Sequence, residues 1–415
     1  MNKNMNTIKC RFCKTPLKHS FADLGVSPLA NSYLKPEDLN QMEPFYPLNV
    51  YVCETCYLVQ LPEFQTPEQI FSDYAYYSSY SETWLKHAKA YVESMTERFG
   101  FDSGSQVVEI ASNDGYLLQY FKEKGIPVLG IEPAENVAKV AQEAGIPTIV
   151  KFLGIQTGTE LATEDKYADL LIGNNVLAHV PDLNDFVRGM KIILKPHGII
   201  TMEFPHLMRL MEENQFDTIY HEHFSYFSFI TVKRAFAAHG LNIFDVEELP
   251  THGGSLRIYA CHAKDTSKPI DQRVRDLIAR EEADRFNKLE HYLWFSEKVK
   301  ETKRNILDFM IKAKRQGKSI VGYGAPAKGN TLLNYCGIRT DFIDYTVDRS
   351  PHKQGHFLPG THIPISHPDR IKETEPDYLL ILPWNLKDEI MEQMAHIRDW
   401  GGQFVTLIPE VRIHQ

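Results

Sequence analysis

The stretch QVVEIASNDG, Gln106 to Gly115, decides how the chain is read. QVVEIA is a short apolar run of strand type, and the helical sequence YLLQYFKEKG follows, closed by Gly125. A strand that turns into a helix through a short loop is where doubly wound folds bind nucleotide-type cofactors. Glu109 stands at the end of this strand, and Glu132 ends the next one, VLGIEP. An acid in that second place can accept both hydroxyls of a ribose. A dinucleotide fold would carry G-x-G-x-x-G, to bring backbone N–H groups against a pyrophosphate. This loop has one glycine, Gly115, and Ala111 and Asn113 stand where glycines would be expected. Asn tolerates a left-handed backbone, so the tight turn survives while pyrophosphate binding is disfavoured.

The pattern continues outward. NVAKVAQEAG reads as a helix ending at Gly145, and PTIVKF, ADLLIGNN and GIITMEF read as strands. NIFDVEEL and SLRIYACHA complete the set as an antiparallel edge. Buried runs alternating with helices imply a mainly parallel, doubly wound sheet. Upstream, Trp84, Ala88, Tyr91, Val92, Met95 and Phe99 keep helical spacing. The tyrosines before them, Tyr74, Tyr76, Tyr77 and Tyr80, are either an aromatic lead-in or a lid over a site. From about residue 265 to 316 the chain is polar with an apolar helical stripe that includes Leu277, Phe286, Tyr292, Phe295 and Ile306. It reads as one or two helices linking two domains. SIVGYGAPAKGN then starts a second, smaller α/β domain with strands in DFIDYTVD, IPIS, DYLLILPW and FVTLIP. The expected fold class is α/β, divided into residues 1–66, 67–264 and 265–415.

The formal net charge is -9 and the charged fraction 24%, with a pI of about 6.0. No basic domain or stripe is evident, so no nucleic-acid partner is expected. No apolar run is long enough to span a bilayer and the first residues lack a secretory core, so a cytoplasmic protein is expected. Four of six cysteines form two C-x-x-C pairs, Cys10 with Cys13 and Cys53 with Cys56. In a reducing compartment such pairs point to metal, and four thiolates suit a closed structural zinc site, one per chain. The spacer from Lys14 to Val52 is rich in proline and aromatics and is expected to form a small lobe.

The order E-x-A-x-N-x-G, an acid on the second strand and two asparagines, Asn174 and Asn175, after the fourth resembles a class I S-adenosylmethionine methyltransferase. Together with CRFC and CETC in front and YHEHF behind, it resembles the sugar C-methyltransferases of deoxysugar and branched-sugar pathways, over nearly the whole chain. That resemblance implies an N-terminal four-cysteine zinc-binding lobe, a methyltransferase sheet and a smaller Rossmann-like C-terminal domain that helps hold a nucleotide-linked 4-keto sugar. It implies that Glu109, Ala111, Asn113 and Gly115 line S-adenosylmethionine, that Glu132 holds its ribose, and that Asn175 lies beside its sulfonium. His179, in NNVLAHVPD, is either structural support or a substrate contact.

Transfer to carbon requires loss of a C–H proton, which a neighbouring ketone allows by forming an enolate; a base near neutral pKa is then needed. YHEHF, Tyr220 to Phe224, offers His, Tyr and Glu together. The resemblance implies His223 as base with Tyr220 and Glu222 as helpers; His221 reads as a packing residue. If the stretch is extended, its two histidines share a face; if it is a turn, they do not. A metal reading would take His221 and His223 with Glu203 or His206. Tyr76, Tyr77 and Lys328 in VGYGAPAKGN are the expected substrate contacts, Lys328 on a pyrophosphate. Methylation of oxygen or nitrogen on a similar sugar, and a nicotinamide oxidoreductase, are the alternatives.

Overall fold

A computed structural model describes residues 8–67, 69 and 77–414. It divides into two units, each drawn from separated segments. Unit 1 takes Met1–Leu17, Cys53–His206 and Phe224–Lys288; unit 2 takes Lys18–Val52, Leu207–His223 and Leu289–Gln415. The spacer between the cysteine pairs forms an antiparallel hairpin, β1 (His19–Ser27) with β2 (Tyr46–Val52), in register from His19 opposite Val52 to Ser27 opposite Tyr46. This hairpin belongs to unit 2, whereas all four cysteines belong to unit 1. Its buried Phe21 stacks on Phe295 at 4.8 Å and meets the edge of Tyr292, both on the helix Leu289–Arg315.

In unit 1, β3 (Val59–Gln60) precedes a seven-stranded sheet. Its strands are β4 (Val107–Ile110), β5 (Val128–Ile131), β6 (Thr148–Ile149), β7 (Ala168–Asn174) and β8 (Leu194–Pro205), then, beyond β9 (Ser225–Tyr226), β10 (Leu241–Leu249) and β11 (Ser255–His262). The order is β10-β11-β8-β7-β4-β5-β6. Strands β4 to β8 run parallel and β11 is antiparallel to both β8 and β10, the expected edge pair. All four residues of β4 are buried, as a strand covered on both faces must be. The helix Glu82–Phe99 starts at Ser81, whose side chain accepts from the Trp84 N–H, and ends at left-handed Gly100. It buries Ala88, Tyr91, Val92 and Met95 in a core shared with Leu118, Phe121 and Tyr259. The short pair β3 and β9, antiparallel, was not legible in the sequence. Strand β4 has β5 on one side and β7 on the other, so the connections diverge there and the C-terminal strand ends open a crevice.

The polar segment from residue 265 becomes two helices, Gln272–Ala283 in unit 1 and Leu289–Arg315 in unit 2. Unit 2 then forms β12 (Ile320–Tyr323), β13 (Thr346–Val347), β14 (Ile365–Ser366), β15 (Tyr378–Ile381), β16 (Gln403–Thr406) and β17 (Arg412–His414), in the order β14-β13-β12-β15-β16-β17. Only β17 is antiparallel. Val321, Val347, Leu379, Ile381 and Phe404 make its core. Among the described residues no helix is long and apolar enough to cross a membrane.

Candidate active site

After β4 the chain makes the turn its sequence implies. Ala111 (φ 54°), Asn113 (φ 51°) and Gly115 (φ 79°) all lie in the left-handed region. For an alanine that costs roughly 1–2 kcal/mol, so neighbours must hold it. The Ala111 N–H donates to the Ile131 carbonyl (2.7 Å), and the Asn113 N–H to Glu132 Oε2 (2.9 Å). Glu132 Oε1 accepts from the Ala134 N–H (2.8 Å). Both oxygens of Glu132 are thus aimed, and each keeps a lone pair for a ribose hydroxyl. Burial raises the Glu132 pKa, with the two N–H bonds opposing. At Gly115 a Cβ would stand 2.9 Å from Ile146, so glycine is required. The Ser78 N–H donates to Asn113 Oδ1 (2.8 Å) and the Ser79 N–H to Asp114 Oδ2 (3.1 Å). Tyr77 accepts from Asn136 Nδ2 (3.3 Å) and stacks on Tyr80. Tyr74 and Tyr76 lie outside the described residues.

Around this turn polar atoms are buried with no hydrogen-bond partner among the described residues: both oxygens of Glu109, Ser112 Oγ, Asp114 Oδ1, both side-chain atoms of Asn174, and Asn175 Oδ1. They come from the ends of the adjacent strands β4 and β7 and the loops that follow. Each such group costs roughly 1–3 kcal/mol when left unmade, so a cluster of them makes this a candidate ligand site. Burial holds the Glu109 carboxyl well above the carboxylate range. The set is rich in acceptors and acids. It fits the ammonium, hydroxyls and positive sulfur of S-adenosylmethionine.

Asn175 (φ 54°) donates its N–H to the Glu203 carbonyl (2.7 Å), and His179 ends a short turn, Leu177–His179. The Glu203 carboxylate is fully buried and accepts from His87 Nε2 (3.0 Å), Arg257 Nη2 (3.1 Å) and Thr251 Oγ1 (2.9 Å). Burial works to raise its pKa, but His87 and Arg257 lower it overall. His206 pairs with Glu281 (2.7 Å), whose oxygens also accept the first N–H groups of the helix Phe229–Ala238. Glu203 and His206 are therefore engaged elsewhere, against the metal reading of YHEHF. Among the described residues, only Cys10, Cys13, Cys53 and Cys56 form a group of three or more ligands.

YHEHF is a turn: the His223 N–H donates to the Tyr220 carbonyl (2.9 Å), so its histidines do not share a strand face. Tyr220 to His223 belong to unit 2, not to the methyltransferase sheet. His223 Nδ1 lies 2.8 Å from the Thr218 carbonyl. A carbonyl only accepts, so Nδ1 carries the proton and Nε2 is the basic nitrogen. The Tyr220 ring packs on the imidazole at 4.1 Å. Glu222 is buried and accepts from Asn31 Nδ2 (2.6 Å). Burial pushes its pKa up to about 7, Asn31 opposing. His221 sits on the Pro47 carbonyl (3.2 Å) with its ring edge to Tyr46, and burial lowers its pKa.

The helix Ala327–Cys336, which VGYGAPAKGN opens, supports this turn: Thr331 Oγ1 donates to the Ile219 carbonyl (3.0 Å) and Asn330 Nδ2 to that of Ala30 (2.6 Å). Lys328 lies over the Trp384 ring at 4.3 Å and donates to Asn385 Oδ1 (2.8 Å). Trp384 Nε1 donates to Asp217 Oδ2 (2.7 Å). Burial pushes Asp217 up to about 6, and the Lys328 charge opposes. The Ala325 carbonyl accepts from Tyr33 (2.6 Å) and Lys353 (2.9 Å). Asp348, after β13, accepts the Ala325 N–H on one oxygen and the Ser350 N–H on the other, both at 2.8 Å. Sequence reasoning singled out none of Asn31, Tyr33, Asp217, Asp348, Lys353 and Trp384. Asp348 alone carried a signal, as an acid closing a second strand.

The four cysteine sulfurs lie within 4.8 Å of one another, with Cys10–Cys56 at 3.6 Å and Cys13–Cys53 at 3.4 Å. Tetrahedral zinc with 2.3 Å Zn–S bonds would set sulfurs about 3.8 Å apart, so the cluster fits. Among the thiols, Cys53 is pushed down first by its bond to Cys10. Cys10 is pushed up to about 11, first by Cys53, and Cys56 is pushed up by Cys10. All six cysteines are free thiols.

Three family descriptions tile this chain: "Putative zinc binding domain" over residues 10–71, "Methyltransferase domain" over 84–246 and "C-methyltransferase C-terminal domain" over 250–409. The C-methyltransferase NovU of Streptomyces niveus is 35% identical over 98% of this chain and 96% of its own. A ubiquinone biosynthesis O-methyltransferase of Bordetella avium (strain 197N) is 30% identical over 26% of this chain and 45% of its own. The solved magnesium protoporphyrin IX methyltransferase of Synechocystis PCC 6803 covers 43% of this chain and 79% of that one at 14% identity, with a TM-score of 0.33, too low to carry an argument. Fold and site define a methyltransferase with a thiolate cluster at its N-terminus. The chain belongs to the C-methyltransferase family, and is an S-adenosylmethionine-dependent enzyme that methylates carbon. The nicotinamide and O- or N-methylation alternatives fall with that assignment.

Proposed function

We propose that the acceptor is a nucleotide-linked 4-keto deoxysugar, methylated at C-3 in branched-sugar biosynthesis through an enolate that His223 generates. The observation that carries this is the His223–Thr218 bond, which fixes the imidazole with Nε2 as the basic nitrogen. Nε2 takes the C-3 proton, and the electron pair moves onto the 4-oxygen. Tyr220 donates to that oxygen. Glu222, with a pKa of about 7, can hold or release a proton at working pH and so assists the transfer. S-adenosylmethionine supplies the electrophilic methyl when bound. Glu109, Ala111, Asn113, Gly115, Glu132 and Asn175 hold it, and the unpartnered atoms around them support this reading. His179 supports the same loop or touches the sugar. Tyr76, Tyr77 and Lys328 contact the substrate; for Lys328 to meet the pyrophosphate, the charge of Asp217 has to be set against it. The four cysteines hold zinc in a structural role within the segment 1–66. Segment 67–264 binds the cofactor, and 265–415 helps hold the nucleotide sugar. The enzyme works in the cytoplasm, where its thiols stay reduced.

The test is incubation with labelled S-adenosylmethionine and a panel of nucleotide 4-keto sugars in heavy water. The C-3 hydrogen should exchange and the carbon become methylated. In His223→Ala both should fall by about 10²–10⁴-fold, while His221→Ala keeps exchange. Exchange that survives in His223→Ala removes the base assignment; absence of both reactions in wild type, with S-adenosylmethionine bound, removes the sugar.

A further inference from the structure

Arg11 lies inside the first cysteine pair, between Cys10 and Cys13. Its guanidinium spans two separate stretches of main chain in unit 1. Nη1 donates to the Pro181 carbonyl (2.8 Å) and Nη2 to the Leu61 carbonyl. Its Cζ lies over the Phe224 ring, 5.5 Å from the ring centre. Its backbone is fixed as well. The Arg11 N–H donates to Gln60 Oε1 (2.8 Å), while Gln60 Nε2 reaches Cys10 Sγ (3.2 Å). Asn184 Nδ2 donates to the carbonyls of Arg11 (3.1 Å) and Phe12 (2.9 Å).

The groups Arg11 grips are joined to one another. Pro181 closes the segment that carries Asn175 and His179. Within it the Ala178 carbonyl accepts the Phe224 N–H (2.8 Å), and the Phe224 carbonyl accepts the Leu61 N–H (3.0 Å). Phe224 follows His223 in the chain. A planar fork of donors can read two carbonyls from different loops at once, which an ammonium cannot do with fixed geometry. We infer that Arg11 is a positioning residue for methyl transfer: it ties the four-cysteine cluster to the Asn175–Pro181 segment and to Phe224. The inference rests on the methyltransferase assignment and not on the identity of the sugar.

The test uses the full chain with Arg11→Met, Arg11→Lys and, as control, Arg234→Met, whose guanidinium lies over the Tyr57 ring. Three quantities are read: zinc content by elemental analysis, affinity for S-adenosylhomocysteine by calorimetry, and amide exchange by segment. In Arg11→Met the zinc content should equal that of wild type. Exchange at Phe224 and across residues 176–179 should quicken about tenfold or more, and affinity should fall about tenfold. Arg11→Lys should fall between, and Arg234→Met should match wild type. Unchanged exchange and affinity would overturn the inference. So would loss of zinc, which would make Arg11 a support of the metal site alone, or exchange quickened evenly across unit 1, which would make it a packing residue.

Discussion

In unit 1 the loop after β4 opens a helix, and Glu132, the acid after the next strand, reaches back to one of its N–H groups. In unit 2 the loop after β12 opens a helix, and Asp348 reaches back in the same way to Ala325. Both acids clamp a second N–H with their other oxygen. Both first strands sit where a parallel sheet changes direction. Beyond that the corners differ. The first bends through three left-handed residues and leaves acids and amides without partners among the described residues. The second bends at Gly324 (φ 88°), and the chain fills it: Tyr33 and Lys353 take the Ala325 carbonyl, and Asn385 and Trp384 take Lys328. Topology nominates both corners as nucleotide sites. The hydrogen-bond account ranks them: among the described residues the first leaves unmet atoms on Glu109, Ser112, Asp114, Asn174 and Asn175, and the second leaves Asp217 Oδ1 and Asn330 Oδ1.

The comparison breaks most readily at its two acids. Glu132→Ala and Asp348→Ala each remove two backbone clamps, so the structural damage is matched. Glu132→Ala should weaken S-adenosylhomocysteine binding about a hundredfold by calorimetry, as two charge-assisted bonds imply, and Asp348→Ala should leave it unchanged. Equal losses would mean that the clamps, not the ribose, set affinity. Next come the buried charges. Glu109 has its folded pKa raised above the ordinary 4.5, so stability present below that pH is lost as pH rises toward the folded pKa. Glu109→Gln should flatten this slope and stabilise the ligand-free protein at pH 8 by about 1–2 kcal/mol, while weakening cofactor binding. Lys328→Met should act oppositely. It strips the counter-charge from Asp217, already at about 6, and should lower the denaturation midpoint more at pH 8 than at pH 5. The smallest effect is expected at Ala111→Gly. Relief of left-handed strain, offset by the entropy of an added glycine, should stabilise by less than about 1 kcal/mol in chemical denaturation.

Much of the corner after β4 was legible because its chemistry is local. A run of apolar residues, one glycine and an asparagine predict a strand and a left-handed turn, and the angles at Ala111 and Asn113 follow. The cysteine pairs were legible because thiols at C-x-x-C spacing have few other uses. The surroundings of YHEHF were not. Its partners Asn31 and Pro47 lie far away in the chain, and the sequence separation of Asn31 from Glu222 is 191. Nothing in the motif announced that a hairpin and a C-terminal helix would hold it. Glu203, named only in the alternative metal reading, was left open for a related reason: a buried acid reads the same whether it awaits a metal or is taken by His87, Arg257 and Thr251.

The hairpin β1–β2 bears on how the molecule is made. Phe21 emerges from the ribosome early, but its stacking partner Phe295 emerges only after the whole methyltransferase segment. At about 5–20 residues per second, that leaves an apolar hairpin waiting on the order of tens of seconds. Cys10 and Cys13 wait only for Cys53 and Cys56. Early metal capture would close that loop and pin both ends of the waiting hairpin on the nascent chain, and a shortage of zinc during synthesis would be felt as aggregation before it was felt as lost activity.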